Sequence, residues 1–269
     1  MQEKIKTKFR LRTPITYYGG KQQLCSRIVA LIPQHTLYCE PFVGGGAIFF
    51  AKEQSRVEVI NDTNRELINF YKVVQHDYIS LEKHVKITLH SRSQHEDAHV
   101  IFNNPHLFND VERAWAVWAL ANQSVNSIID NSWGYERNTE KMSKKVNNKR
   151  ESFTEQLAIR LQNVQVECAD ANYVIHTRDS EESFFYCDPP YINTCQGHYD
   201  GYSEADFKVL LDNLSNIKGK FLLSSFPSPI LDEYIAKHSW STVNIEMTCS
   251  ASKLRKKKVE VLTANYSIN

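Results

Sequence analysis

The sequence has no Cys-x-x-Cys pair. Its six cysteines, Cys25, Cys39, Cys168, Cys187, Cys195 and Cys249, lie far apart in a chain of 269 residues. That spacing argues against both a zinc ribbon and a disulfide framework, and free thiols are the expected state. Long apolar runs are missing too. The longest, Ala114 to Ala121, has eight residues, where a membrane-spanning helix needs ~20. The N-terminus, MQEKIKTKFRLRTP, is basic but lacks the apolar stretch of a secretory signal, so a cytoplasmic protein without a membrane partner is expected. An excess of one charge sign is also missing: a formal net charge of +1 does not announce a polyanion-binding protein, although basic residues cluster at Lys141 to Arg150 and Lys253 to Lys258. No repeat, low-complexity linker or Pro/Gly-rich hinge divides the chain.

What is present is enough apolar residue, 42%, to bury a core, which excludes a disordered chain. From Gln22 to Ile32, Leu24, Ile28, Leu31 and Ile32 fall at helical spacing, and Pro33 ends the run. Thr36 to Phe42 reads as a buried strand. The turn Val43-Gly44-Gly45-Gly46 and a short helix carrying Ile48, Phe49 and Phe50 follow. Val57 to Ile60 is a second strand leading to Asn61-Asp62, and Asn64 to Val74 a helix with Leu67, Ile68, Tyr71 and Val74 on one face. Further strands are expected at Gln165 to Ala169, Ser183 to Cys187, Lys220 to Ser225, Thr242 to Met247 and Glu260 to Tyr266. Helices at Ser203 to Asn216 and Ser228 to His238 separate some of them, the first opening on the capping-box pattern Ser203-Glu204-Ala205-Asp206. Seven strands alternating with helices predict a wound, largely parallel α/β sheet.

Between Gln75 and about Asn163 strand signals vanish and six of the ten histidines gather. One helix is convincing there, Asp110 to Val125, with Trp115 and Trp118 as core residues. The segment 76–163 is expected to be a mostly helical insertion into a core made of 1–75 and 164–269.

Two constellations carry chemistry. In Glu40-Pro41-Phe42-Val43-Gly44-Gly45-Gly46 the glycines let backbone approach a ligand beyond a strand's carboxyl end. The pattern is not that of a triphosphate-cradling loop. The next strand ends in Asp62, eighteen residues beyond Gly44, where a carboxylate can accept both hydroxyls of a ribose. A nucleoside-bearing cofactor is implied. In Phe184-Phe185-Tyr186-Cys187-Asp188-Pro189-Pro190-Tyr191 an apolar strand runs into an acid, two prolines and an aromatic. Proline donates no N–H and keeps the preceding residue extended, so the strand end becomes an acceptor site. The Asp188 carboxylate and the Pro189 carbonyl can each take one N–H of a planar exocyclic amine while Tyr191 stacks on its ring. Such an amine is a poor nucleophile because its lone pair is delocalised, and two acceptors on its hydrogens return density to nitrogen.

These residues resemble the Dam-type adenine-specific DNA methyltransferases in which the cofactor motif precedes the target-recognition segment. The likeness runs nearly end to end, through Pro14 to Lys21, Glu40 to Gly46, Ile60 to Asp62, Asp170, Asp188 to Tyr191 and Lys257 to Tyr266. It implies a Rossmann-like seven-stranded methyltransferase core with an inserted target-recognition domain. It also implies S-adenosylmethionine as cofactor and transfer of its methyl group to N6 of an adenine flipped out of double-stranded DNA. Tyr17, Lys21, Glu40, Phe42, Gly44, Gly46, Asp62, Asp170 and Asp188 would hold the cofactor, with Asp188, Pro189, Pro190 and Tyr191 as the catalytic tetrapeptide. Asn122, Asn126, Trp133, Tyr135, Arg137, Lys144, Lys145, Lys256 and Lys257 are the expected DNA contacts. The expected assembly is a monomer, working in a restriction-modification system beside a cognate endonuclease. Family members that read GATC carry an Asn-Gly-Leu-x-Arg-type element, of which Ala121 to Ser127 keeps fragments, so a GATC target is not supported. Methylation of cytosine N4 or of RNA, and a DNA-binding module without turnover, remain open alternatives.

One signal competes. His95-Glu96-Asp97-Ala98-His99 fits the zinc-peptidase pattern, but its polar flank Ser91 to Gln94 and the lack of a third ligand predict a solvated polar face and no metal. His198 and Tyr199 are candidates for closing the catalytic loop over a base.

Overall fold

Helix α1 (Cys25–Leu31) stops because Ile32 is forced out of helical geometry ahead of Pro33, and its ψ of 120° is extended. The computed structural model describes residues 11–192, 201–248 and 257–268, with backbone alone at 247–248 and 257–258. After α1 come β1 (Leu37–Glu40), α2 (Ala47–Ala51), β2 (Val57–Asn61) and α3 (Arg65–His76). The Asn64 side chain caps α3 by accepting the Glu66 and Leu67 N–H groups.

Five α-helices follow where the sequence announces one: α4 (Tyr78–Ile87), α5 (Arg92–Asn103), α6 (Asp110–Gln123), α7 (Lys141–Glu151) and α8 (Gln156–Leu161). The segment is helical, and four of its helices go unannounced because their apolar stripes are narrow. Helix α5 buries His95, Ala98 and Ile101, so one of its three inward positions is a histidine; α7 buries Val146 alone among its eleven residues. Helix α6 has the full signature, a capping box between Asn109 and Glu112 and nine buried residues. It ends at Gln123, and Asn126 and Ser127 take positive φ values of 57° and 59° beyond it. An antiparallel bridge between Ser124 and Trp133 closes this excursion.

The chain then returns to the sheet through β3 (Gln165–Glu167), α9 (Ala171–Arg178), β4 (Ser183–Cys187), α10 (Glu204–Asn216), β5 (Lys220–Ser225), α11 (Pro229–His238), β6 (Ser241–Thr248) and β7 (Lys257–Ala264). The Ser203–Asp206 capping box forms as expected. The last strand is shifted from its expected Glu260 to Tyr266, and α9 has no counterpart in the sequence reading.

The strand order is β3-β2-β1-β4-β5-β7-β6. Strands β1 to β5 run parallel, and β7 is antiparallel to both β5 and β6. This is the expected Rossmann-like seven-stranded α/β core. Helices cover both faces, which is why β4 is buried at every position and reads as a continuous apolar run. On one face Cys39, Phe185, Phe221 and Leu223 pack against Val174, Leu210, Leu211 and Leu231 of α9, α10 and α11. On the other, Tyr38, Phe184 and Leu222 join one apolar cluster that continues through α3 to Trp118, Leu120 and Phe153. Helices α3 and α6 pack on each other, so the helical segment shares the core of the sheet. From β1 the chain winds outward to β2 and β3, then returns to β4 on the other side. The carboxyl ends of β1 and β4 therefore flank a topological switch point, where such sheets open a crevice.

Candidate active site

Side chains two apart on a strand share a face, and the registers Tyr38↔Phe184, Tyr186↔Leu222 and Ser224↔Leu262 carry one face across four strands. At the carboxyl edge that face presents Glu40 from β1, Tyr186 and then Asp188 from β4, Ser224 from β5 and Glu260 from β7. All but Asp188 are buried.

Lys21 reaches this row from ahead of α1. Its Nζ donates to Oδ1 and Oδ2 of Asp188 at 2.7 and 2.9 Å and to the Gly19 carbonyl at 3.1 Å, and lies 3.6 Å from Glu260. Burial alone would pull its pKa down; the Asp188 and Glu260 carboxylates outweigh that and hold it above the ordinary lysine value. The Tyr191 hydroxyl donates to Glu260 and lies 3.2 Å from both Asp188 Oδ1 and Ser224 Oγ. Ser224 also donates to Glu260. The Tyr191 ring meets Phe226 edge-on at 4.4 Å. Tyr191 is therefore a built-in member of the site and not the tip of a surface turn. Pro189 is buried and Pro190 half-buried beside it.

The glycine loop is braced from β2. Gly44 N–H donates to Asp62 Oδ2 at 3.0 Å, and Asn64 N–H to Asp62 Oδ1 at 2.9 Å. The Tyr71 hydroxyl donates to the Gly44 carbonyl at 2.7 Å. Gly46 opens α2 in the left-handed region, φ 66°. A Cβ on Gly45 would stand 2.8 Å from Tyr17 Cβ, so Tyr17 packs directly on the loop. Asn61 joins three strand ends: its Nδ2 donates to the Pro41 and Ala169 carbonyls at 2.9 and 3.0 Å, and its Oδ1 accepts the Ala169 N–H at 2.9 Å. That fixes the approach to Asp170, which is exposed and caps α9 by accepting from Asn172 and Tyr173 at 3.0 and 3.1 Å. Phe42 packs half-buried against the apolar cluster that includes Cys39 and Phe185.

Glu40 accepts the Tyr38 hydroxyl at 2.5 Å. Burial pushes its carboxyl up to about 8, a rise the Tyr38 hydrogen bond and Lys52 oppose and the Asp188 charge reinforces. The glycine-loop acid and the Asp188 carboxylate thus share one electrostatic environment.

The expected DNA contacts scatter. Asn122 is fully buried; its Oδ1 accepts the Thr16 N–H at 3.0 Å and its Nδ2 donates to the Trp118 carbonyl at 2.9 Å. It is a clamp on the Tyr17 segment, which corrects its expected place on the DNA. Asn126, Tyr135, Arg137 and Lys144 are exposed. Trp133 stacks on Tyr135, ring centroids 5.7 Å apart, and meets His90 in a tilted contact at 4.7 Å, with the Arg92 guanidinium 4.9 Å from its ring. Lys144 and Lys145 line a concavity with Arg12, Lys141 and Lys149. Lys145 donates to Ser127 Oγ at 2.9 Å, whereas Lys149 gives its ammonium to Thr13 and Ile15 oxygens at 2.6, 3.0 and 3.1 Å and so anchors the chain. Lys256, His198 and Tyr199, and the side chain of Lys257, lie outside the described residues.

The His95–His99 pair is not a solvated face either. His95 is buried, with Nε2 on Ser124 Oγ at 2.8 Å; His99 Nε2 is 3.2 Å from the Asn131 carbonyl. Among the described residues no group of three His, Cys, Asp or Glu side chains is arranged to hold a metal, and no helix is long and apolar enough to cross a membrane.

Sequence reasoning missed Glu260, Ser224 and Asn61 as site residues. Ligand sites in wound sheets lie at strand carboxyl ends, but β7 runs antiparallel to β5, so its beginning is what meets the site.

Comparison with known proteins gives a consistent result. A family model described as D12 class N6 adenine-specific DNA methyltransferase matches residues 17–245. The chain is 26% identical to the type II methyltransferase M1.LlaDCHI of Lactococcus lactis subsp. cremoris, over 97% of this chain and 98% of that one. It is 24% identical to the DNA adenine methylase of Salmonella typhi over 95% of each. It is also 29% identical to the DNA N-6-adenine-methyltransferase of Escherichia phage P1, over 73% of this chain and 26% of the phage protein. A solved precorrin-6y C5,15-methyltransferase from Geobacter metallireducens GS-15 superposes with a TM-score of 0.37 at 9% identity, covering 90% of this chain and 86% of that one.

Proposed function

The chain belongs to the D12 class N6 adenine-specific DNA methyltransferases, and from that premise we propose that it takes the methyl group from S-adenosylmethionine and acts on an adenine flipped out of double-stranded DNA. The observation that carries the reading is the Asp188 carboxylate, set at a strand end on the switch point, beside a buried ammonium and in the electrostatic reach of Glu40.

The residues present fit a nucleoside with an amino-acid tail. Glu40 is a buried acid with its pKa near 8, the state a neighbouring ligand ammonium would reverse. Asp62 braces the glycine loop through backbone amides at the end of β2, where its carboxylate would accept the ribose hydroxyls. Tyr17 and the loop of Gly44 and Gly46 would bound the tail, with Phe42 and Lys21 beside it and Asp170 facing the base. The sulfonium, when bound, supplies an already activated methyl group.

The remaining work falls to the protein. Asp188 Oδ and the Pro189 carbonyl accept the two N6 hydrogens, which raises electron density on nitrogen and fixes its direction of attack; Pro190 keeps the strand end extended. Orientation of the two reactants supplies most of the advantage. The surplus amine proton leaves toward Asp188 Oδ. Flipping costs a few kcal/mol, which stacking on an aromatic, here Tyr191, offsets by ~1–3 kcal/mol. Exposed Asn126, Tyr135, Arg137 and Lys144, with Trp133 and Lys145, are placed on the nucleic acid, and Lys256 and Lys257 are proposed to join them; segment 76–163 is the target-recognition region. The name of the Lactococcus relative favours a modification role, and a cognate endonuclease is proposed as partner.

Incubation with methyl-labelled S-adenosylmethionine and double-stranded DNA, then nucleoside analysis, should yield N6-methyladenine. Label in N4-methylcytosine, in RNA only, or nowhere would overturn the reading.

A further inference from the structure

Lys21 serves two carboxylates, and in this arrangement it occupies the one the target amine needs. Two of its contacts lie on Asp188, at 2.7 and 2.9 Å, and a third on Gly19. A full ammonium on both Asp188 oxygens, with the Tyr191 hydroxyl 3.2 Å from Oδ1, draws electron density from the acceptor that the amine needs. Moving Lys21 into bulk water would leave two acids in a buried pocket without a counter-charge, a costly state.

The alternative partner is already present. Glu260 is 1% exposed, and its carboxylate stands 3.6 Å from Lys21 Nζ, about 1 Å beyond a charge-assisted hydrogen bond. It is held in place by two hydroxyls, those of Tyr191 and Ser224. Among the described residues Lys21 is the cation within ion-pair distance of it. The Tyr191 contact links this acid directly to the catalytic tetrapeptide.

Resting on the function proposed above, we infer that Glu260 is a positioning residue for methyl transfer. It receives the Lys21 ammonium as Asp188 turns to the amine, and it fixes the Tyr191 ring through its hydroxyl. The charge of Glu260, more than its shape, carries this role: a neutral amide of the same size leaves Lys21 on Asp188.

The test is single-turnover methyl transfer by the full chain, with donor and DNA dissociation constants measured separately. Glu260→Gln should slow the transfer step by roughly 30-fold while both constants stay within about 3-fold, the signature of an interaction expressed in the transition state. Glu260→Asp, which keeps the charge, should recover part of the rate. Because the role acts through Lys21, the double variant Lys21→Met, Glu260→Gln should be no slower than Lys21→Met alone, a non-additivity that a merely structural glutamate would not produce. A wild-type rate in Glu260→Gln, or full multiplication of the two losses in the double variant, overturns the inference. Should Glu260→Gln not fold, as judged by circular dichroism, Glu260→Asp with a rate as low as that of Lys21→Met does the same, because the retained charge would then have had no effect. Wild-type chain that labels no adenine defeats instead the reading of the whole site.

Discussion

Asn122 Oδ1 accepts the Thr16 N–H at 3.0 Å, joining α6 to a segment 106 positions earlier in the chain. Thr16 precedes Tyr17, and Tyr17 is the wall against which the glycine loop closes. Replacing Asn122 by Ala leaves a half-buried N–H without its acceptor, a cost of about 1 kcal/mol. Denaturant melts should show that loss, and calorimetry a weakened donor affinity. The salt dependence of DNA binding should stay as in wild type, because the side chain is buried; a reduced salt slope would return Asn122 to the DNA surface.

Glu40 makes stability depend on pH with a sign that can be stated. Its carboxyl titrates near 8 in the folded chain against an ordinary 4.5. The native state therefore holds a proton that the unfolded chain has lost across that interval. Its stabilising contribution is complete below pH 4.5 and declines until pH 8, by a few kcal/mol. Glu40→Gln should flatten that stretch of the stability curve. If a donor ammonium settles on Glu40, binding at pH 7 releases about one proton, read by calorimetry in buffers of different ionisation enthalpy. Equal heats in all buffers would count against the contact.

The sheet and the two motifs were legible in the sequence because their signals are local. Strand β4 is a continuous apolar run ending in Asp-Pro-Pro-Tyr, and the glycine loop follows β1 directly. Seven strands were found for that reason, two of them, β4 and β5, to the residue. Most of the helical segment was hidden because its helices bury few apolar side chains, and His95 fills an inward position where the pattern expects an aliphatic one. Asn122 misled because an amide in a recognition-like segment looks the same whether it faces DNA or a backbone N–H 106 residues away. Glu260 was invisible as a site residue for a topological reason: only the antiparallel entry of β7 puts its start at the edge where β4 ends.

Asp62 and Asp188 should fail differently. Asp62 accepts backbone N–H groups from Gly44 and Asn64, so Asp62→Ala unbraces the loop. Donor affinity should fall by at least about tenfold, the equivalent of ~1.4 kcal/mol, with a lower melting temperature. Asp188→Ala removes an acceptor for the amine and should abolish transfer while largely sparing donor binding. Retained turnover in Asp188→Ala, or unchanged donor affinity in Asp62→Ala, measured by labelled-methyl assay and calorimetry respectively, would break the corresponding assignment.

Lys145 gives the DNA surface a pH signature. Burial pulls its ammonium down to about 8, whereas Lys144 is exposed and paired with Glu140 at 2.8 Å. A phosphate contact needs the charged form, so DNA affinity should be greatest below pH 7 and weaken as pH rises through 8 toward 9. Lys145→Arg keeps its charge across that range and should bind with a flatter pH profile, the remainder coming from Lys149, which burial pulls down to about 7 in the same concavity. Lys145→Ala should be similarly flattened, but weaker throughout, with a salt slope smaller by about 1. Lys144→Ala should lower the salt slope by a similar amount. Fluorescence anisotropy with a short duplex, titrated at several pH values and salt concentrations, separates these outcomes; a wild-type affinity constant between pH 7 and 9 would remove Lys145 from the phosphate-binding surface.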